Sequence, residues 1–342
     1  MIQATLVRLL DGEVLNRGEA RELLAEMMDG EATPEQSAAI LAALRLRGES
    51  TDELCGFAEL MRERCTPVDV AQGPDLIDTC GTGGDGSGTF NVSTATAFVA
   101  AGMGLRVAKH GNRSVSSRCG SADVLEELGV NIGLDSAGMA QCIEQCGIGF
   151  LFAPALHPAM KQVAPVRRAL GVRSFFNMLG PLTNPAGARQ QLIGCWSRKA
   201  AWRMASVLAA LGDSHAILVA SRDGLDEISV CGETDVMVVA DGGFNEMTIS
   251  PEMLGLTRHL PIELRGGDRA DNARIIRRLL SGEAGAARDI VLANAAACAV
   301  LGGLTKDLRQ GVELAAQSID SGAASARLDQ LVELSRGLEV RA

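Results

Sequence analysis

The sequence of 342 residues has no tyrosine and only eight phenylalanines and two tryptophans. Proteins that bind single-stranded nucleic acid stack its bases on aromatic side chains, so this scarcity argues against that class of function. The chain also lacks an excess of positive charge, since 32 Lys and Arg stand against 42 Asp and Glu. The resulting net charge of −10 argues against a general nucleic-acid binder.

Metal-binding and membrane signals are also missing. Nine cysteines are scattered along the chain without a CxxC pair, and the four histidines form no HExxH motif, so no zinc site is expected. No apolar run reaches the ~18 residues of a membrane span, and the N-terminal residues lack the apolar core of an export signal. We therefore expect a cytoplasmic protein with reduced cysteines and no membrane segment.

Two kinds of hydrophobic pattern divide the chain. Asn16–Glu19, Thr33–Gln36 and Ser50–Glu53 have the pattern of helix N-terminal capping boxes, and each precedes apolar residues at helical spacing. From Asp75 onward, short apolar runs alternate with helical patterns, which is typical of an α/β fold with a mainly parallel sheet. Strands are expected near 76–77, 105–108, 148–152, 192–196, 216–220 and 236–240, and helices at 93–102, 121–128, 136–145, 199–211 and 291–300.

Basic residues are concentrated in two stretches that contain no Asp or Glu. The first lies between Gly86 and Ala122, and the second between Gln145 and Gly212. Such segregation of charge in an acidic protein favours the capture of an anionic small molecule.

A glycine-rich string, DTCGTGGDGSGTFNVST, occupies residues 78–94. It contains the spacing GxGxxG, but the acidic residue that binds ribose in dinucleotide sites is missing about 20 residues later, and no Walker A lysine follows. Glycines allow backbone N–H groups to approach phosphate oxygens, and the Ser93 and Thr94 hydroxyls at a helix start add donors. The string therefore predicts a phosphate-binding loop.

A second polar loop, KHGNRSVSS at residues 109–117, directly follows a predicted strand. Loops at the carboxyl ends of parallel strands form the ligand sites of α/β proteins. Two cations, an amide and three serine hydroxyls are well suited to bind a polyphosphate.

Three strings together resemble the anthranilate phosphoribosyltransferase family: GTGGDGSGTFNVST (81–94), KHGNRSVSSRCGSADVLEELG (109–129) and HPAMKQVAPVRRALGVRSFFNMLGPLTNPAG (157–187). The resemblance implies a small all-helical domain over residues 1–69, joined in space by a helical segment near 165–185. It also implies a larger α/β domain over residues 70–342, of the nucleoside phosphorylase/phosphoribosyltransferase type, with the site in the cleft between the two.

The implied reaction joins anthranilate to 5-phosphoribosyl 1-pyrophosphate and releases pyrophosphate, with Mg²⁺ as cofactor, in tryptophan biosynthesis. Members of the family usually form homodimers through the small domain. By resemblance, Mg²⁺ contacts fall on Ser93, Asp226 and Glu227, and anthranilate contacts on Gly81, Asn112 and Arg167. Contacts to the phosphoribosyl donor fall on Gly81, Gly84, Asp85, Thr89, Asn91, Val92, Ser93, Thr94, Lys109, His110, Gly111, Asn112, Arg113, Ser114, Val115, Ser116, Ser117 and Ser121.

The residue types fit this chemistry. A planar guanidinium can pair with a carboxylate through two hydrogen bonds, but spacing alone does not decide between Arg167 and Arg168; the resemblance favours Arg167. The adjacent carboxylates of Asp226 and Glu227, placed in a loop, could both turn toward a hard cation. The amine of anthranilate is neutral at pH 7, so we assign no dedicated acid or base; His110 is either a helper or a residue that shapes its loop.

Two other functions compete with this hypothesis. A class II pyrimidine nucleoside phosphorylase would share the fold and a glycine-rich phosphate loop, but would not need a metal pair at Asp226 and Glu227. A fold relative that binds nucleic acid without catalysis is disfavoured by the negative net charge.

Overall fold

The N-terminal part of the chain consists of helices. The computed structural model describes residues 2–114, 118–212 and 215–338. It begins with α1 (Ile2–Leu10), α2 (Arg17–Met28), α3 (Pro34–Arg47) and α4 (Thr51–Glu63). Helices α2, α3 and α4 each start with a capping box, at Asn16, Thr33 and Ser50. The three helix starts predicted from the sequence are therefore confirmed.

A single mixed sheet forms the centre of the rest of the described chain. Its strands are β1 (Leu76–Gly81), β2 (Arg106–Gly111), β3 (Ile148–Phe152), β4 (Gln190–Gly194), β5 (His215–Ser221), β6 (Thr234–Ala240) and β7 (Gly243–Ile249). They lie in the order β3-β2-β1-β4-β5-β6-β7. The first five in this order are parallel, and β6 and β7 are added antiparallel. The predicted mainly parallel sheet is confirmed, but β7 was not foreseen, because this edge strand has mostly exposed side chains.

Helices flank the sheet. They are α5 (Val92–Gly102), α6 (Ser121–Leu128), α7 (Ser136–Cys146), α8 (Ala153–Leu156), α9 (Ala164–Leu170), α10 (Phe176–Leu182), α11 (Arg198–Leu211), α12 (Arg269–Leu280), α13 (Ala286–Leu301), α14 (Leu308–Asp320) and α15 (Ala323–Gly337). Each helix predicted after residue 75 lies within one of these. In the described part of the chain, no helix combines the length and apolar character that crossing a membrane requires.

Two apolar clusters cover the opposite faces of the sheet. Alternate residues of β5 separate between them, because side chains of a strand point to opposite faces: Ile217 and Val219 join one cluster, and Leu218 and Ala220 the other. The second cluster also includes the buried residues of α1–α4 and of α9–α11. The N-terminal helices thus share a continuous core with one sheet face, and the domain division at residue 69 stays a prediction.

Helices α9 and α10 lie beside the N-terminal helices. The ring of Phe175, just before α10, stacks on Phe57 of α4 with 4.3 Å between centroids. Arg62 of α4 donates to the carbonyl oxygen of Leu182 at the end of α10 (2.7 Å). These contacts place the segment that carries Arg167 and Arg168 against the N-terminal helices.

Candidate active site

The candidate site lies where the order of strands reverses. The chain runs outward through β1, β2 and β3 and then returns to β4 on the other side of β1. Ligands of open α/β sheets bind at the carboxyl ends of the strands beside such a reversal. Strands β1 and β4 end there at Gly81 and Gly194, which are partners in the sheet register.

Gly81 and Gly194 form a gap between the two strand ends, which we call the glycine notch. A Cβ atom on Gly194 would overlap the carbonyl oxygen of Asp226, and one on Gly81 would lie 3.3 Å from Oδ2 of the same residue. Asp226 belongs to the irregular loop between β5 and β6. The notch therefore seats a predicted metal ligand against the beginning of the glycine loop.

The glycine loop, residues 82–91, connects β1 to α5. Its first residue is fixed, because the N–H of Thr82 donates to the carbonyl oxygen of Gly194 (2.8 Å). Gly83 and Gly84 have φ angles of 63° and 77°, in the left-handed region that side chains disfavour. The loop thus presents backbone at the strand ends, as a phosphate-binding loop requires.

The start of α5 contributes a mixed set of groups. Asn91 is held by the protein itself: its amide donates to the carbonyl oxygen of Cys119 (3.1 Å) and accepts from Asn272 (3.0 Å). Val92 is a buried core residue, so only its backbone can face a ligand. Thr94 is buried and its hydroxyl has no hydrogen-bond partner among the described residues. Thr89 lies earlier in the loop, where its hydroxyl is 3.3 Å from that of Ser87.

Lys109, on β2, is buried and directed inward. Its Nζ donates to the carbonyl oxygen of Thr79 (2.6 Å) and to the hydroxyl of Ser93 (3.3 Å). Burial lowers the pKa of Lys109 and raises the pKa of the fully buried Asp78, while the attraction between the two charges opposes both shifts. Asp78 also accepts from the N–H of His110 (3.1 Å) and from Asn184 (2.8 Å). The predicted cation is thus part of a charge network that fixes β1 to β2.

His110 is buried next to a second histidine. Its Nδ1 lies 3.1 Å from the carbonyl oxygen of Gly180, and its Nε2 lies 3.3 Å from Nε2 of His157. Burial lowers the pKa of His110 to about 3 and that of His157 to about 4. Neutral rings in this position connect β2 to α10, which favours the interpretation of His110 as a residue that shapes the loop.

The loop after β2 is described only in part. Val115, Ser116 and Ser117 lie outside the described residues. Asn112 is exposed, and its carbonyl oxygen accepts from the hydroxyl of Ser121 (3.1 Å).

The ends of this loop are packed against α6. A Cβ atom on Gly111 would overlap the hydroxyl of Ser121. The N–H of Ser114 donates to Asp123 (3.2 Å). The guanidinium of Arg113 pairs with Glu126 (2.5 Å) and Asp123 (3.1 Å) of α6. Arg113, predicted to contact the phosphoribosyl donor, is therefore already paired with the chain's own carboxylates.

Three carboxylates face each other beside the glycine notch. Burial, followed by the charge of Asp85, raises the pKa of Asp226 to about 7. Burial and the charge of Asp226 raise the pKa of Glu227 well above its usual value, while the charge of Lys109 and the N–H of Ser93 act against the shift. Oδ2 of Asp85 is buried without a hydrogen-bond partner in the described chain. The negative charges of these three side chains repel each other, and either protonation or a bound metal cation relieves that repulsion.

These carboxylates do not form a complete metal cage. In the described ranges, no group of three or more His, Cys, Asp or Glu side chains is arranged to hold a metal ion. Proteins typically bind Mg²⁺ without such a cage, through one or two carboxylates together with substrate phosphates and water.

Arg167 and its neighbour differ in their surroundings. The guanidinium of Arg167 lies over the ring of Phe176 at 4.8 Å, and burial lowers its pKa. No carboxylate pairs with it among the described residues. Arg168 is exposed. The shielded, unneutralised cation is the better partner for an organic carboxylate that also presents an aromatic ring.

Arg173 connects this segment to the glycine loop. Its guanidinium donates to the carbonyl oxygen of Gly84 (3.2 Å) and lies over the ring of Trp196 at 5.1 Å. Sequence analysis gave no role to Arg173, which lies in the basic stretch between Gln145 and Gly212. It also missed Asp78, Gly194 and Asn184, although Asn184 stands in the quoted string LGPLTNP and Asp78 opens the glycine-rich string.

Comparison with protein families gives two adjoining matches. Residues 3–65 match the helical bundle domain of a glycosyl transferase family, and residues 73–325 match the a/b domain of the same family.

Individual relatives match over nearly the whole length. An anthranilate phosphoribosyltransferase of Anaeromyxobacter sp. (strain K) is 57% identical over 332 residues, 97% of this chain and 98% of the relative. One from Rubrobacter xylanophilus is 52% identical over 342 residues, 100% of this chain and 99% of the relative.

Solved structures agree with this. The crystal structure of anthranilate phosphoribosyltransferase from Thermus thermophilus superimposes with a TM-score of 0.91 at 43% identity, covering 97% of this chain and 99% of that one. The enzyme from Saccharomyces cerevisiae in complex with PRPP and Mg gives a TM-score of 0.91 at 28% identity, covering 98% of both chains.

Proposed function

The chain belongs to the anthranilate phosphoribosyltransferases of this glycosyl transferase family, and we propose how its residues perform their reaction. The enzyme transfers the phosphoribosyl group of 5-phosphoribosyl 1-pyrophosphate to the amine of anthranilate and releases pyrophosphate, a step of tryptophan biosynthesis. The assignment of residues rests on one observation: the glycine loop, Lys109 and the three carboxylates beside the glycine notch lie together where the order of strands reverses.

The donor binds at the carboxyl ends of β1 and β2. Backbone N–H groups of the glycine loop, including those of Gly84 and Asp85, approach the diphosphate and the 5-phosphate. The hydroxyls of Ser93 and Thr94 and the N-terminus of α5 add donors and a favourable dipole. The remaining contacts are those that the resemblance implies: Gly81, Thr89, Asn91, Val92, Lys109, His110, Gly111, Asn112, Arg113, Ser114, Val115, Ser116, Ser117 and Ser121. Arg113 can contribute only if it exchanges its carboxylate partners on α6 for phosphate.

Mg²⁺ fits the residues beside the notch. The buried, unpartnered oxygen of Asp85 and the raised pKa values of Asp226 and Glu227 mark an excess of negative charge that a hard cation would neutralise. We assign Asp226, Glu227 and the hydroxyl of Ser93 as the groups that hold it. When bound, Mg²⁺ stabilises the negative charge that develops on the leaving pyrophosphate.

Anthranilate binds through its carboxylate to Arg167. The guanidinium fork can donate two hydrogen bonds, and it has no ion-pair partner in the described chain that the substrate would need to displace. Gly81 and Asn112 complete the acceptor contacts, and both are exposed at strand ends where the donor sugar lies.

Alignment supplies most of the catalytic effect in this proposal. Holding two reactants in the correct geometry can contribute roughly 7–11 kcal/mol in favourable cases. Since His110 stays neutral and is bonded to Gly180, it acts on the loop and not as an acid or base. No dedicated general base is required for the neutral amine.

We also propose a homodimer formed through the N-terminal helices and a cytoplasmic location. Leu46 of α3 is 88% exposed, and Val7 and Leu10 of α1 are also exposed, so two helices that pack against each other both present apolar side chains that a partner subunit could cover. The location is supported by the nine free cysteines. Sedimentation of the wild type and of Leu46→Asp tests the dimer; a wild-type monomer would contradict it.

One assay tests the function. The protein is mixed with the phosphoribosyl donor, Mg²⁺ and anthranilate, and the loss of anthranilate fluorescence is followed, with chelator added to a matched sample. We expect consumption that requires both the donor and the metal. Thymidine phosphorolysis without anthranilate consumption would instead identify a nucleoside phosphorylase.

A further inference from the structure

One buried amide lies close to the proposed metal ligands and has no part in the reaction described above. Asn294 is completely buried in α13 and is the only amide in the run 290–299, which otherwise consists of Ala, Ile, Val, Leu and Cys. A buried amide costs free energy unless its hydrogen bonds are satisfied. Its position in an apolar helix therefore calls for a specific partner.

That partner is the backbone of Ile228. The amide group of Asn294 donates from Nδ2 to the carbonyl oxygen of Ile228 (3.0 Å), and its Oδ1 accepts from the N–H of Ile228 (2.9 Å). Nδ2 also donates to the carbonyl oxygen of Ile290 in its own helix (2.8 Å). The side chain thus pairs with Ile228 as a neighbouring strand would, across 66 positions of sequence.

Ile228 follows Glu227 directly. Its own side chain is buried in the large apolar cluster, so the amide pairing and this packing fix the same residue. On the other side, the carbonyl oxygen of Asp226 lies in the glycine notch, against Gly194. The two carboxylates are therefore held between one anchor on β4 and one on α13.

The segment needs such anchors. Residues 222–233 contain no helix or strand, so no regular backbone ladder sets the direction of Asp226 and Glu227. When they are ionised, as a metal ion requires, the two carboxylates and Asp85 repel each other, which favours a movement of the segment toward water. An uncharged amide can oppose that movement without adding a charge that would compete with a cation or a phosphate.

We propose that Asn294 is a positioning residue that holds Asp226 and Glu227 in the orientation required to bind a divalent cation. This inference rests on the proposed role of those carboxylates in Mg²⁺ binding. Residues that orient metal ligands from behind typically change metal affinity by about 10–100-fold when they are replaced.

The test measures Mn²⁺ binding by electron paramagnetic resonance in the presence of saturating pyrophosphate. Four proteins are compared: wild type, Asn294→Ala, Asn131→Ala and the double variant Asp226→Asn/Glu227→Gln. Asn131 is the matched control, because its amide also bonds a distant helix, at the carbonyl oxygen of Ser335 (3.2 Å). We expect the Kd for Mn²⁺ to rise about 10–100-fold in Asn294→Ala and to stay at the wild-type value in Asn131→Ala. In activity assays, the Mg²⁺ concentration for half-maximal rate rises in Asn294→Ala while the KM for anthranilate does not.

The outcomes separate the two levels of the proposal. If Asp226→Asn/Glu227→Gln still binds Mn²⁺ like the wild type, the proposed metal role is wrong. If that variant loses Mn²⁺ but a folded Asn294→Ala binds it normally, the positioning role is wrong. Should Asn294→Ala not fold, Asn294→Asp keeps the shape and the acceptor but loses the Nδ2 donor; unchanged Mn²⁺ affinity in this variant at pH 8 would equally refute the inference.

Discussion

The donor side of the site is built on the ends of strands, whereas the acceptor side rests on short helices. Lys109 and Asp78 are buried in neighbouring strands, within a network of hydrogen bonds that includes Ser93 and Asn184. Arg167, by contrast, belongs to a helix of seven residues and contacts an aromatic ring without an ion-pair partner in the described chain. Under the proposed assignment of residues, the phosphorylated substrate would meet a fixed surface, and the carboxylate of the second substrate would supply the partner that Arg167 lacks.

The strongest test of the donor side removes its two central carboxylates. In Asp226→Asn/Glu227→Gln, we expect Mg²⁺-dependent turnover to fall by more than about 100-fold, because the groups that hold the cation are lost. The matched control is Glu233→Gln, which alters an exposed carboxylate of the same loop. Retained activity would mean that the metal is held elsewhere.

The same double variant should be more stable than the wild type without ligands at high pH. The pKa of Asp226 is raised to about 7, so the native state binds this proton more tightly than the unfolded chain does. The resulting stabilisation of the native state is fully present below about pH 4 and is lost as the pH rises through 7. Calorimetry at pH 5 and pH 8 should therefore show a larger gain in Tm for the variant at pH 8. An equal gain in Tm at both pH values would contradict the raised pKa of Asp226.

Lys109→Met tests whether the strand-end network is structural. Lys109 and Asp78 are buried opposite charges that attract each other without a direct contact. Removal of one leaves the other uncompensated, so we expect a loss of up to roughly 3–5 kcal/mol in the free energy of unfolding. The additional change Asp78→Asn should recover part of this loss in urea titrations. If it also restores turnover, Lys109 acts only through the scaffold, and its proposed contact with the donor is wrong.

Arg167→Ala addresses the acceptor side. Hydrogen bonds to a charged partner contribute about 1.5–3 kcal/mol, so we expect the KM for anthranilate to rise about 10–100-fold while the KM for the phosphoribosyl donor stays constant. Arg168→Ala, its exposed neighbour, should change neither constant by more than about twofold. A similar effect of the two substitutions would remove the distinction between them.

Arg173→Ala breaks the contact between the two sides. It removes a single hydrogen bond to the backbone of Gly84, an interaction of about 1 kcal/mol, so the donor KM should rise about fivefold. Arg173→Lys keeps the charge but not the stacking on Trp196, so its KM for the donor should lie between those of Arg173→Ala and the wild type. An effect on anthranilate alone would place Arg173 on the acceptor side.

The smallest effect is expected from the protonation of His110 and His157. Since the pKa of His110 is lowered to about 3 and that of His157 to about 4, neither ring changes charge between about pH 5.5 and 8.5. The dependence of kcat/KM on pH should contain no limb from either of these two rings in this range. A limb near pH 6.5 that disappears in His110→Gln would show that His110 acts as an acid or base.

The comparison also shows what sequence patterns could predict. The capping boxes, the parallel strands and the phosphate loop follow from local rules of residue type and spacing, and the structure confirms the first two. The role of Asn184, the contact between Arg173 and Gly84, and the pairing of Asn294 with Ile228 depend on residues far apart in sequence. The choice between Arg167 and Arg168 needed their burial, which a helix of seven residues does not encode by periodicity.

The glycine notch has a consequence for attempts to change this enzyme in the laboratory. A methyl group at position 194 would collide with the backbone of Asp226, and one at position 81 would press on its carboxylate, although Gly194 brings no reactive group of its own. Libraries that seek new acceptor substrates should therefore leave these two codons constant and diversify the exposed positions of α9, the helix that carries Arg167.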